Sequence, residues 1–356
     1  MSRIKEHLHS CIEKGIFPGA AYVVGTSKGI IDRGVVGSKG IDCGPVTEDT
    51  LYDLASMTKP LVAIAFMKLL EEGKVCLDDQ IRDYLPEYKE APRSNASMYE
   101  LLTHTSSIPG QVQLYRTCHS KQEMIEAILY LPLRERTKTP VMYSSQGFII
   151  LGEIMERIEN KSLDLILKEK VFEPLNMQNT LFTPSEDLME RIAPTEDCPW
   201  RGHMVRGQVH DENAVVLGGI CGHAGLFATA EDLARVGQAM LSGLTVEGTR
   251  FLFDSTIQLM TKNHTSGMNL ARGLGWQGKD PCESPAGDLF GEKSFGHTGF
   301  TGTSLWVDPD KDLYAVLLTN RVHPSRNGVG MARARHIFHN LAVCEWETKK
   351  TLIKNS

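Results

Sequence analysis

The clearest extended patterns in this 356-residue chain stand near its two ends, and most of what lies between them repeats with a helical period. Near the start, Ala20-Ala21-Tyr22-Val23-Val24 leads to a Ser27-Lys28-Gly29 turn and a second run, Ile30 to Val36, which together read as a hairpin. Near the end, Ser294 to Val307 precedes a turn at Asp308-Pro309-Asp310-Lys311 and an apolar strand, Leu313 to Thr319. Helical periods fill 61–72, 121–130, 146–170, 230–242 and 254–262. A further helix is expected over 331–343, and an amphipathic one at the start carries Ile4, Leu8, Cys11, Ile12 and Ile16. A sheet that draws strands from both ends is the natural architecture. The fold expected is α/β of the α+β kind: an antiparallel sheet from both termini, flanked by helices, with a large mostly helical lobe inserted. The sheet lobe takes 1–60 and 290–356, the helical lobe takes 61–289, and the seam between them is where a cleft belongs. A chain of this length suits two lobes sharing one site.

Three short motifs fall on that seam: Ser56-Met57-Thr58-Lys59, Tyr143-Ser144-Ser145 and His297-Thr298-Gly299. Ser-x-x-Lys is permissive, and Ser2 to Lys5 matches it too, at what reads as an ordinary surface helix start. Context separates the two. Ser56 follows an extended stretch, Thr50 to Leu54, and precedes the apolar run Leu61, Ile64, Ala65, Met67, Leu69 and Leu70, so it stands at the start of a buried helix. There its N–H lacks an intrahelical partner and lies at the positive end of the helix dipole. Lys59 is one turn on, on the serine's own face, where it can lower the hydroxyl's pKa or take its proton. Tyr143 stands at another loop-to-helix junction, and a phenol facing a lysine cation becomes a usable base. Gly299 allows close approach of backbone, and the next N–H, on Phe300, can pair with that of Ser56 as an oxyanion hole.

This motif set resembles the penicillin-recognising serine hydrolases, the superfamily of class C β-lactamases, DD-peptidases, D-aminopeptidases and related esterases, with a β-lactamase/transpeptidase-like fold. Ser-x-x-Lys, Ser-Asp-Asn and Lys-Thr-Gly mark the class A relatives; this chain keeps the first and varies the others. Further similar stretches are Leu101 to Ser106 with Ile108-Pro109-Gly110, Pro174 to Met177, Gly222 to Phe227, and Asn320-Arg321. The resemblance implies Ser56 as nucleophile, Lys59 and Tyr143 as the proton-transfer pair, and the N–H groups of Ser56 and Phe300 as the oxyanion hole. It also implies substrate contacts at Ser145, His297, Thr298 and Gly299. Ser145 stands where many relatives have asparagine, and a hydroxyl replaces only part of an amide's hydrogen bonding. His297 stands where β-lactamases have lysine, and an imidazole is mostly neutral at pH 7. Arg321, at a strand end, either binds a substrate carboxylate or pairs with a neighbouring acid.

The expected activity is therefore a serine hydrolase working through an acyl-enzyme on a small amide, peptide or ester, with peptidase or amidase chemistry favoured. A carboxylesterase or an acyltransferase of the same fold is the alternative, since only the second nucleophile differs. A β-lactam or peptide sensor, acylated without turnover, is the alternative of another class. With 38 basic against 44 acidic residues, interspersed, nucleic acid and anionic membranes are excluded as partners, and a small-molecule or peptide substrate is expected. No run reaches the roughly eighteen apolar residues of a membrane span. No signal peptide is visible, and eight scattered cysteines without Cys-x-x-Cys spacing suit a reducing compartment, so a cytoplasmic location is expected, or else a processed secreted form. No cofactor is expected. Val209 to Asn213 with Gly222-His223 matches no zinc spacing and reads as a cleft-lining loop, so no metal is expected either. Glu173 is assigned no chemistry, His104 is read as serving local backbone, and Cys221 as packing.

Overall fold

The computed structural model describes residues 2–132 and 140–354. Helix α1 (Arg3–Glu13) starts at Ser2, whose hydroxyl accepts from the Lys5 N–H, so the first Ser-x-x-Lys match is a helix cap. Strands β1 (Gly19–Thr26) and β2 (Gly29–Gly37) form the expected hairpin. Then come helices α2 (Thr58–Glu71), α3 (Ser145–Glu159) and α4 (Ala230–Ser242). Strands β3 (Gln277–Gly278), β4 (Phe295–Thr298), β5 (Ser304–Asp308) and β6 (Leu313–Thr319) precede the last helix, α5 (Met331–Lys354).

The strands make one antiparallel sheet in the order β2-β1-β6-β5-β4-β3, so the two ends of the chain meet where β1 pairs β6. Strand period divides the buried side chains between two cores. Ala21 and Val23 of β1, with Tyr314, Val316 and Leu318 of β6, face the helical part of the molecule. Ala20, Tyr22 and Val24, with Leu313, Ala315 and Leu317, face the terminal helices, where Ile4 and Leu8 of α1 meet Phe338 and Ala342 of α5. Helix α4 lies on the first face and brings Gly237 so close to the Tyr314 ring that a Cβ would sit 2.7 Å from it.

Helix α2 is apolar all round, and Leu61 to Met67 are entirely without solvent contact, which marks it as a central helix. Burying each such large side chain is worth about 2 kcal/mol, so the serine at its mouth rests on a rigid support. Before it, Tyr52–Asp53 pairs with Leu226–Ala228, which also pairs Leu181–Phe182 in a small second sheet. Helix α3 is capped by Ser144, which accepts from the Gly147 N–H, and ends at Asn160 in the left-handed conformation. Among the described residues, no helix is long and apolar enough to cross a membrane.

Candidate active site

The Tyr52–Asp53 strand turns abruptly at Ala55, whose φ of +48° is rare for a residue with a Cβ, and passes through one tight turn into α2. The Asp53 carboxylate takes up that strain, accepting the Ala55 N–H at 2.7 Å. Ser56 follows. Lys59, fully buried one turn on, donates from Nζ to Ser56 Oγ at 3.1 Å and to the His223 carbonyl at 2.9 Å. Its third side faces Tyr143, whose ring centroid is 5.0 Å from Nζ. The Tyr143 ring is set by the backbone beneath it, because Ser144, the α3 cap, donates its N–H to His104 Nδ1 at 3.1 Å. His104 thus serves backbone, but that of Ser144, distant in sequence, rather than its own neighbours, and its ring lies 4.7 Å from that of Tyr143. No hydrogen bond joins the Tyr143 hydroxyl to Ser56 or Lys59 among the described residues; in free enzymes such contacts often close only on substrate.

The third motif ends β4 and opens the turn to β5. A Cβ on Gly299 would lie 2.3 Å from the Leu54 carbonyl oxygen, so only glycine lets this turn reach the nucleophile's turn. Two hydroxyls stitch the turns together: Thr301 donates to the Asp53 carbonyl at 2.7 Å and Thr303 to the Leu54 carbonyl at 2.9 Å. The N–H groups of Ser56 and Phe300 have no hydrogen-bond partner among the described residues. His297 donates from Nδ1 to the Thr298 carbonyl at 2.8 Å, which leaves Nε2 as an acceptor. Burial, and behind it the charges of Lys59 and Arg272, push its pKa down to about 3, so it is a neutral imidazole.

These groups open on a cleft of about 480 Å³ walled by Ser56, Tyr143, His297, Thr298, Gly299 and Phe300, together with Arg272, Arg321 and Arg335. No aspartate or glutamate is among the described residues lining it. Arg321 pairs with no acid there: its guanidinium lies 4.3 Å from the Phe300 ring and donates to the carbonyls of Phe300 and Arg326. Arg335 gives one N–H to the Thr303 carbonyl at 3.3 Å, and Arg272 is 6% exposed with no side-chain partner for its Nε. Sequence reasoning missed Arg272, Arg335 and Asp53, since none lies in a motif. Ser145 is buried in the first turn of α3, outside the cleft wall. Hollows of about 760 and 550 Å³ elsewhere on the molecule contain none of the three motifs.

The histidines of the 209–223 region go separate ways. His210 bonds Glu196 at 3.0 Å and stacks on Phe300, while His223 bonds Asp211 at 2.9 Å. Among the described residues no three metal-ligating side chains converge. Cys221 is buried and donates to the Ala224 carbonyl.

Against known proteins, the family model described as beta-lactamase matches residues 4–339. The N-acetylmuramyl-L-alanine amidase of Bacillus subtilis (strain 168) is 30% identical over 345 residues, which cover 86% of this chain and 78% of that protein. Among solved structures, EstCE1, a hydrolase with promiscuous acyltransferase activity, superposes with a TM-score of 0.78 at 18% identity, covering 96% of this chain and 97% of that one. A class C beta lactamase from Rhodobacter sphaeroides gives a TM-score of 0.75 at 19% identity, covering 96% and 98%. With the family match spanning nearly the whole chain and its sheet, central helix and cleft in the fold of those structures, the chain belongs to the β-lactamase family and is a serine hydrolase.

Proposed function

We propose that the enzyme is an amidase or peptidase that passes an acyl group through Ser56 and takes small substrates carrying a negative charge. The observation that carries this reading is the buried Lys59 amine at 3.1 Å from Ser56 Oγ, at the head of a cleft with no carboxylate among its described lining residues. Ser56 Oγ attacks the acyl carbonyl as its proton passes to the Lys59–Tyr143 pair. The developing oxyanion is held by the N–H groups of Ser56 and Phe300, each worth about 3 kcal/mol in such a site. The pair returns the proton to the leaving nitrogen, and water then attacks the acyl-enzyme by the same route. Three arginines in a wall with no acid among its described lining residues favour an anionic substrate. The 30% identity to an N-acetylmuramyl-L-alanine amidase supports a cell-wall-type amide as that substrate.

Within this reading, residues 1–60 and 290–356 form the sheet lobe and 61–289 the helical lobe, with α4 of the latter packed on the sheet and β3 paired to its edge. A cytoplasmic location is favoured by the eight cysteines, all of them free. The test is intact mass spectrometry with an N-acetylmuramyl-L-alanyl peptide, a p-nitrophenyl ester and a penicillin, following product release in parallel. The expected result is a transient acyl adduct on Ser56 with continued turnover, absent in Ser56→Ala. Hydrolysis that survives in Ser56→Ala overturns the assignment, and a stable adduct without turnover replaces the enzyme with a sensor.

A further inference from the structure

We propose that Asp53 is a positioning residue for the oxyanion hole, the buried carboxylate that keeps the Ser56 and Phe300 N–H groups aligned; this rests on the reading of Ser56 as nucleophile. Asp53 is 2% exposed and never touches the cleft, yet each of its carboxylate oxygens holds a different wall of it. Oδ1 accepts the Ala55 N–H at 2.7 Å and so fixes the strained residue immediately before Ser56. Oδ2 accepts the His210 N–H at 2.6 Å, and the His210 ring stacks on the Phe300 ring at 5.7 Å with an interplanar angle of 25°. The far side of that imidazole is held by Glu196, which Arg326 grips in turn, so His210 is a fixed backing for Phe300. The Asp53 carbonyl accepts the Thr301 hydroxyl, one residue past Phe300, closing the loop from the other direction. One side chain therefore joins both halves of the hole, and aligned donors are what such a hole depends on.

Only a carboxylate fits both N–H groups. Asparagine has the same shape but one acceptor and one NH2, so in either orientation an N–H faces an NH2. In Asp53→Asn, kcat for a p-nitrophenyl ester is expected to fall about tenfold or more, with KM within twofold of wild type. Affinity for a phenylboronic acid, which becomes tetrahedral on Ser56 and places an oxygen in the hole, is expected to fall by the same factor. A merely structural role reduces the active fraction and so lowers apparent kcat, but leaves boronic acid affinity unchanged. Thr301→Val removes the other tie to Asp53 and is expected to give the same paired fall, smaller in size; it decides the matter where Asp53→Asn does not fold. Boronic acid binding that depends on Ser56 but stays within twofold of wild type in the folded variant overturns this inference alone. Binding to wild type that does not depend on Ser56 removes the nucleophile reading and this inference with it.

Discussion

Arg272 carries a charge that burial disfavours, and among the described residues no acid is hydrogen-bonded to its guanidinium, the Asp280 carboxylate that favours its charge being bonded instead to the Ala271 N–H and the Gln277 amide. A buried cation with no carboxylate bonded to it is costly, and a protein tolerates that cost where a ligand completes the pair. His297 cannot be that cation, because it is neutral and offers the cleft an acceptor. Arg321 is occupied with two carbonyls and the Phe300 ring. That leaves Arg335, bonded only to the Thr303 carbonyl, and Arg272, and of the two it is Arg272, with its guanidinium carbon 5.8 Å from the Tyr143 ring centroid, that stands beside the catalytic phenol to read a substrate's negative charge. Arg272→Met keeps the length of the side chain and removes the charge. KM for a carboxylate-bearing amide is expected to rise about tenfold or more, the loss of a charge-assisted pair, while KM for a neutral p-nitrophenyl ester is unchanged. An equal rise for both substrates would show that the arginine only shapes the wall.

At the scale of elements, the start of α3 decides where Tyr143 stands. The Ser144 hydroxyl caps the helix and its N–H is fixed by His104, so the residue just before it has little freedom. Ser144→Ala is expected to cost about 1 kcal/mol in urea unfolding and to lower kcat, whereas Ser144→Thr, which still caps, keeps most of both. Unchanged kcat in the alanine variant would mean that the cap does not position the phenol. Helices such as α2 and α4 were legible because their apolar period is local and long. The pairing of 52–53, 181–182 and 226–228 was not, since strands of two or three residues show no period and form only through contacts far apart in sequence. Helix α5 runs past residue 343 for a similar reason: its polar second half is held from outside, by the Trp346 indole on the Lys311 carbonyl and the Lys349 ammonium on the Ile31 carbonyl. In the site, Ser56 and Lys59 were legible because one helical turn sets their distance. Asp53 and Arg272 acquire partners and position only through the fold.

The whole molecule buries several histidines in neutral form, and this sets how it responds to acid. His339 sits between the sheet and the terminal helices with no solvent contact, donating from Nδ1 to the Pro285 carbonyl at 2.6 Å among the rings of Phe290, Trp306 and Phe338. Burial pushes its pKa down to about 3, and His297 shares that value. An unfolded histidine titrates near 6.5, so between about pH 6.5 and 3 the unfolded chain binds protons that the folded one refuses. The stability contributed by each such residue is therefore present above the unfolded value and is lost as pH falls, by up to about 1.4 kcal/mol per pH unit. His223 works in the opposite sense: burial opposes its charge, but the Cys221 sulfur and the Asp211 carboxylate outweigh it, and its share is lost as pH rises above about 6.5. Asp53 and Asp232, pushed up by burial, partly offset the acid loss, so a single-residue comparison is the cleaner measurement. His339→Asn keeps a donor for the Pro285 carbonyl but removes the titrating ring. It is expected to be less stable than wild type at pH 7.5, because it leaves a small cavity, yet to lose stability more slowly between pH 6.5 and 5, by about one proton's worth of slope. Urea unfolding of both proteins at half-unit steps measures this directly, and parallel curves would place the acid sensitivity in groups other than His339.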